Sequence, residues 1–456
     1  MTLVKNECVG SCYKKPLIFI SMSINLGLER VASILHALKG PQKFFQVFHV
    51  AGTNGKGSVC AYISSILHRS SLITGRFTSP HFFHPRYSIS INEKPVSKLL
   101  FDDAHGMVQS ISQREGIDAT SFELLTATAL EIFYRKGIDV AVVEVGLGGR
   151  FDATNVDYKV GGVLGTIITR IGLDHQTFLG DTIEDITHQK TGIMRRDVPV
   201  TVYGDNEDAA CKVILQDAAA IKCPVTIVSA SSIRREVDES GMQSLYLPTK
   251  SFGDINLSAS PLNGSYQHMN LACAITALDM ARPSLPTVTG SSIHEGITRT
   301  KWPGRLQLLN ASEFAGDTQQ WVLLDGAHNV QAATSLSEYV EDLRKESKDG
   351  TITWVMALSG NRDCKEIMSL LLRNRDRFYP ASFGAVDGMP WVRPLDRNLL
   401  TSAATDLLGS EELVFLVHGA AKDIIKDACK HNSPVVVCGS LYLVSDVLAE
   451  LRGEDS

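Results

Sequence analysis

The run Gly52-Thr-Asn-Gly-Lys-Gly-Ser58 puts three glycines, one lysine and two hydroxyls into a single turn. Glycines let a backbone wrap a phosphate chain with its N–H groups inward. A helix starting there adds positive potential. In such loops the lysine reaches the β- and γ-phosphates and the hydroxyl ligates Mg²⁺, which assigns these roles to Lys56 and Ser58. Gly57 separates the two, a departure from the common G-x-x-x-x-G-K-[ST] spacing. The candidate nucleotide-binding residues are therefore Gly52, Thr53, Asn54, Gly55, Lys56, Gly57 and Ser58. The competing reading is a plain structural turn.

The elements around the run favour the phosphate loop. Val47-Phe-His-Val-Ala reads as a buried strand before it. Val59, Tyr62, Ile63, Ile66 and Leu67 recur at helical spacing after it. Ile138 to Val145 is a nearly continuous apolar run, as a central parallel strand requires, and Glu144 sits at its end. A carboxylate there is costly unless paired or metal-bound; the alternative is an acid open to water. Gly146-Leu-Gly-Gly-Arg-Phe-Asp-Ala-Thr-Asn155 follows as a second glycine-rich loop at the same sheet edge, where α/β proteins bind ligands.

Strands alternate with amphipathic helices nearly throughout, so the fold class is α/β. The 456 residues suggest two or three domains. A polar, Pro- and Gly-broken stretch around Thr298-Arg-Thr-Lys-Trp-Pro-Gly-Arg305 sets a boundary near residue 298. It divides a 1–22 extension, a 23–297 phosphate-loop domain and a smaller 298–456 doubly wound domain. Residues 229–262 read as short β structure or loops. The extension carries Lys5, Lys14 and Lys15 against Glu7. It reads as a weak organelle presequence or as a floppy tail with Met22 as an alternative start.

With 44 basic and 50 acidic side chains the net charge is −6. So mild an acidity gives no global attraction for nucleic acid or an anionic membrane, and local groups must bind any anionic substrate. No run of 18 apolar residues exists, so no spanning helix is expected. Nine scattered cysteines without a Cys-x-x-Cys pair suggest reduced thiols and an intracellular compartment, cytoplasmic, or mitochondrial if the extension targets it.

Six motifs in order carry a resemblance over essentially the whole chain from about residue 25: the run at 52–58, Ser79-Pro-His81, Glu144 to Asn155, Asp174-His175 with Leu179-Gly180, Pro303-Gly-Arg305 and Asp325-Gly-Ala-His-Asn329. The sequence resembles the folylpolyglutamate synthase/dihydrofolate synthase family, a branch of the Mur ligases. The resemblance implies an ATP-dependent ligase that phosphorylates a carboxylate and lets the amine of L-glutamate attack the acyl phosphate. Loop Phe151-Asp-Ala-Thr-Asn155 is similar to the types that use 7,8-dihydropteroate as acceptor. The rival readings are glutamate addition to tetrahydrofolate, by a dedicated or a bifunctional enzyme, and, more distantly, a phosphate-loop ATPase that makes no new bond.

The resemblance also implies cofactors and roles. ATP and two Mg²⁺ ions are expected, with a monovalent cation such as K⁺. Ser58 and Glu144 would hold one Mg²⁺, and Ser79, Glu144 and His175 the other. Lys190 is a candidate for carbamylation, or an ordinary phosphate-contacting lysine; Gln189 stands where the family has an acid. Lys56, His175 and Lys190 are the catalytic candidates. His175 reads otherwise as a plain loop histidine. Asn270, Arg305, Asp325 and His328 are expected at the nucleotide, although His328 suits a helix cap equally well. Tyr266 replaces a family histidine. On the acceptor side stand Leu28, Glu29, Arg30, Thr120, Ser121, Phe122, Glu123, Phe151, Asp152 and Ala153. Phe122 would stack on a pterin ring or fill the core, and Asp152 would accept from the amino-pyrimidinone edge. Nothing demands more than a monomer.

Overall fold

The computed structural model describes residues 26–238, 240–316, 320–360 and 363–453. The expectations for the 1–22 extension, Met22, Cys8 and Cys12 lie outside them.

Eight strands form the first sheet: β1 (Gln46–Ala51), β2 (Thr74–Phe77), β3 (Ile89–Ile91), β4 (Lys94–Pro95), β5 (Val140–Glu144), β6 (Val163–Ile168), β7 (Val200–Tyr203) and β8 (Val225–Val228). Their spatial order is β4-β3-β2-β5-β1-β6-β7-β8. Only β3 and β4 run antiparallel to their neighbours. Every residue of β5 is buried, which is why the strand reads as a nearly continuous apolar run up to Glu144. The helices Lys56–Arg69, Tyr266–Met280 and Gly290–Thr298 cover one face. Glu29–Ala37, Lys98–Arg114, Ser121–Arg135, Ile183–Thr191 and Asp208–Ile221 cover the other.

Residues 229–262 contain a three-stranded antiparallel sheet: β9 (Arg234–Val237), β10 (Gln243–Thr249) and β11 (Gly253–Asn256), with β10 central. It buries Leu247 and Ile255 against the helix Tyr266–Met280. Residues 299–306 then lead into the second large sheet: β12 (Gln307–Asn310), β13 (Trp321–Leu324), β14 (Thr353–Met356), β15 (Arg377–Pro380) and β16 (Val435–Cys438), ordered β12-β13-β16-β14-β15. All pairs are parallel except β12 with β13. Helices cover both faces, giving the doubly wound arrangement.

The register matters for function. β1 lies between β5 and β6, with Val50 opposite Glu144. Chain order reverses there, and the loops leaving β1 and β5 emerge side by side, where open α/β sheets form a ligand crevice. The seven described cysteines are free thiols. No helix among the described residues is long and apolar enough to cross a membrane.

Candidate active site

Strand β1 delivers the phosphate loop. Gly55 has φ 93° and sits at the N-cap of the helix Lys56–Arg69, in a left-handed conformation that only glycine adopts freely. Gly57 is needed for another reason: a Cβ there would lie 2.4 Å from the ring of Trp302, which covers the helix start. The inserted glycine between Lys56 and Ser58 is thus the seat of a tryptophan from the interdomain connection. Thr53 and Asn54 donate their N–H groups to the carbonyl of Arg170 at 2.8 and 3.1 Å, tying the loop to the end of β6.

Lys56 Nζ donates to the Thr53 carbonyl at 3.1 Å and lies 3.8 Å from Glu144 Oε1. Glu144 accepts in addition from the N–H of Ser79 at 3.4 Å. Burial pushes its carboxyl up to about 7, and Lys56, the Ser79 N–H, Arg305 and Arg76 pull it back. A buried carboxylate is a donor that could hold a hard cation, and Ser58, buried on the first helical turn, and Ser79 are the expected further oxygen donors. His175 adopts φ 55°, and its ring is 4.0 Å from Asp174.

Lys190 is buried on the helix Ile183–Thr191, and its Nζ donates to the Gly52 carbonyl at 2.8 Å. Burial first, and Lys56 second, push its ammonium down to about 7. The lysine therefore abuts the phosphate loop directly.

Among the residues expected at the acceptor, Arg30 Nε donates to both oxygens of Glu123 at 3.1 and 3.0 Å. Glu123 closes a capping box with Thr120 that starts the helix Ser121–Arg135. Arg30, Thr120 and Glu123 so hold one another, and Leu28, Glu29 and Ser121 flank them. Phe122 stacks on Phe77 at 6.0 Å and packs against Gly146, at the root of the second glycine-rich loop. Phe151 is exposed on that loop, and Ala153 is buried. Asp152 is buried with its carboxylate turned on its own loop. It accepts from Leu147 N–H at 2.8 Å, Thr154 N–H at 3.0 Å and the Thr154 hydroxyl at 2.5 Å. Burial raises its pKa, and these donors oppose the rise. A pterin edge would meet only what lone-pair capacity those bonds leave.

The second domain faces the loop. Asp325, at the end of β13, accepts from the N–H groups of Leu306 and Ala327, both at 2.8 Å. Arg305 lies beside it and lowers its pKa against the effect of burial. His328 Nδ1 is 2.7 Å from the Gly326 carbonyl and its Nε2 3.9 Å from Asp174. Asn54 donates to Asn329 at 3.3 Å and to Gln331 at 2.7 Å. Asn270, buried on the helix Tyr266–Met280, lies behind Gly55 and donates to Gln267 at 3.1 Å. Tyr266 is packed at the edge of the second domain's core.

Comparison with known proteins decides the family. Residues 50–278 match the Mur ligase middle domain, and residues 307–450 match the dihydrofolate synthetase C-terminal domain. A probable dihydrofolate synthetase of Schizosaccharomyces pombe is 38% identical over 431 residues, 94% of this chain and 99% of that one. The chain belongs to the dihydrofolate synthetase family of Mur ligases. The dihydrofolate synthetase of Saccharomyces cerevisiae is 35% identical over 434 residues, covering 94% of this chain and 98% of that one. The structure of Escherichia coli FolC in complex with DHPP and ADP matches with a TM-score of 0.75 at 27% identity, covering 96% of this chain and 95% of that one. This member of the dihydrofolate synthetase family is accordingly a ligase of folate synthesis that forms carbon–nitrogen bonds.

Three residues at this site carried no motif. His49 is fully buried in β1 and bonded to Thr154 at 2.9 Å. Trp302 lies on Gly57 with Arg76 over its ring at 5.2 Å. Gln331 spans the domains. A histidine inside an apolar strand and a tryptophan inside a polar connection were the only signals available for the first two.

Proposed function

We propose that the chain joins L-glutamate to 7,8-dihydropteroate using ATP, giving 7,8-dihydrofolate, ADP and phosphate. The observation that carries this reading is the end of β5. Glu144 there faces Lys56 of the phosphate loop, and the loop from Gly146 begins immediately after it. Phosphate-handling groups and a candidate acceptor loop thus leave adjacent strands.

In this reading Lys56 meets the γ-phosphate as it passes to the acceptor carboxylate. That transfer makes a mixed anhydride, which is a far better electrophile than the carboxylate. The amine of glutamate attacks the acyl carbon, and the tetrahedral intermediate collapses with loss of phosphate and of the ammonium proton. Ser58, Glu144, Ser79 and His175 would hold Mg²⁺, whose chemistry when bound is charge neutralisation on the phosphates. Asp325 and Arg305 orient the nucleotide from the second domain, with Asn270 on the other side. Lys190, part neutral near pH 7, is suited to carbamylation, which requires the free amine.

The division at residue 298 belongs to the same proposal, with the reaction in the cleft between the domains and domain closure assembling it. One chain supplies every group named, so a monomer suffices. Free thiols fit a reducing compartment, cytoplasmic or mitochondrial.

The test supplies ATP, Mg²⁺ and labelled glutamate with either dihydropteroate or tetrahydrofolate. Incorporation with dihydropteroate supports the proposal. Incorporation only with tetrahydrofolate replaces it with chain extension. Loss of ATP without incorporation refutes ligation.

A further inference from the structure

Strand β1 is apolar along its buried length except for His49, whose exposure is 0%. Its Nε2 lies 2.9 Å from the hydroxyl of Thr154, itself fully buried. That hydroxyl is also 2.5 Å from Asp152 Oδ1. The directions follow from proton counting. A hydroxyl has one proton, and an ionised carboxylate only accepts. Thr154 therefore donates to Asp152 and must accept from His49, which places the imidazole proton on Nε2. The ring is neutral: burial, aided by Arg195, pushes its pKa down to about 3. Nδ1 is left bare, and it is a buried atom without a hydrogen-bond partner.

Neighbours fix the same arrangement. Tyr158 donates to the Thr154 carbonyl at 2.8 Å and sets its ring edge-on to His49 at 6.2 Å. Arg195 lies 5.7 Å over Tyr158 and donates to the Val156 carbonyl at 2.8 Å. At the far end, Asp152 Oδ2 takes the N–H of Leu147. The chain of bonds thus runs from the strand that ends in the phosphate loop to the backbone of the second glycine-rich loop.

We propose that His49 is a positioning residue for the acceptor: through Thr154 it fixes Asp152, and through Asp152 the conformation of the 146–153 loop. The proposal rests on the reading that this loop takes the acceptor. Its physical content is that one rigid strand sets both ends of the phosphoryl transfer. β1 places the phosphate loop by covalent continuity and the acceptor loop by three hydrogen bonds, the last to a charged group. Catalysis by positioning is sensitive to small displacements, so such a link acts on the reaction without touching it.

The test measures KM for ATP and for dihydropteroate, with thermal unfolding as a check on folding, in His49→Leu, His49→Gln, Thr154→Val and Asp152→Asn. Thr154→Val preserves shape and removes only the hydroxyl. Thr154→Val removes a bond to a buried charge, and His49→Leu removes the donor that holds that hydroxyl in place; a rise in acceptor KM of about tenfold is expected in each. KM for ATP stays within about twofold, because groups not in contact with the nucleotide act independently of it. His49→Gln, whose amide N–H replaces the Nε2 donor, recovers most of the loss. The double variant His49→Leu/Thr154→Val is no worse than Thr154→Val alone, since both cut one chain.

Equal rises in both KM values, or a His49→Gln variant as impaired as His49→Leu, overturn the proposal. If His49→Leu fails to fold, Thr154→Val decides alone. Asp152→Asn separates the two ideas. An unchanged acceptor KM in that variant means the acceptor-loop reading has failed. A raised value there, with Thr154→Val unaffected, means the His49 link has failed.

Discussion

Asn54 in the phosphate loop donates to Gln331 Oε1 at 2.7 Å, across a sequence separation of 277 residues. Gln331 in turn donates to the Ile171 carbonyl at 3.1 Å. One amide side chain of the second domain thus touches both the phosphate loop and the loop that follows β6.

Truncating that amide should be felt by the nucleotide. Gln331→Ala removes two ordinary hydrogen bonds, each contributing about 0.5–1.5 kcal/mol. KM for ATP is expected to rise by at least about fivefold. Steady-state kinetics at saturating acceptor measure it. An unaltered KM for ATP would show the contact to be incidental to nucleotide binding.

Lys56→Ala should abolish ligation, with a loss of at least about a hundredfold in kcat, the scale for one electrostatic group at a transferring phosphoryl. Labelled-glutamate incorporation reads it directly. Retention of full activity would remove Lys56 from the phosphate-handling role.

Glu144 makes a pH prediction. Burial raises its carboxyl to about 7, from an ordinary value of 4.5. The folded state therefore holds the proton more tightly than the unfolded one. Without metal, the stability from this group is fully present below about 4.5 and is lost as pH rises through about 7. Metal needs the ionised form. The Mg²⁺ concentration for half-maximal activity should then rise as pH falls below about 7, approaching tenfold per unit. Titrating Mg²⁺ at a series of pH values checks this, and a flat dependence contradicts it.

Gly57→Ala should be harmful out of proportion to one methyl. The new Cβ meets the Trp302 ring at 2.4 Å, and overpacking of this kind costs about 1–3 kcal/mol. Thermal unfolding and ADP binding should both suffer. Adding Trp302→Ala should restore the first at least in part, because it removes the clash.

Lys190 should carry the mass of one added CO₂ when the protein is prepared with bicarbonate above about pH 7, where its amine is largely neutral. Intact-mass measurement after mild, non-acidic handling detects it. Lys190→Arg should never show it.

The parts of this molecule that were legible in sequence are those set by local rules. β5 could be read because a strand buried on both faces is apolar along most of its length. That Lys56 and Glu144 would lie together could be expected, because a glycine-rich loop after one parallel strand and an acid at the end of its neighbour share one sheet edge. The relation of Asn54 to Gln331 could not, since nothing local encodes a partner so far along the chain. His49 was hidden for a related reason: period and polarity report burial, not which hydroxyl a buried ring meets. The sheet formed by β9, β10 and β11 was only half legible, because strands with so few buried residues lack clean alternation.

The connection between the domains is more than a tether. Within a few residues it places Trp302 on the start of the phosphate-loop helix and Arg305 where it acts on both Glu144 and Asp325. The two halves are therefore not interchangeable modules. A chimera that swaps second domains between relatives must keep this short segment with the first domain, or it inherits a phosphate loop shaped for a ring it no longer has.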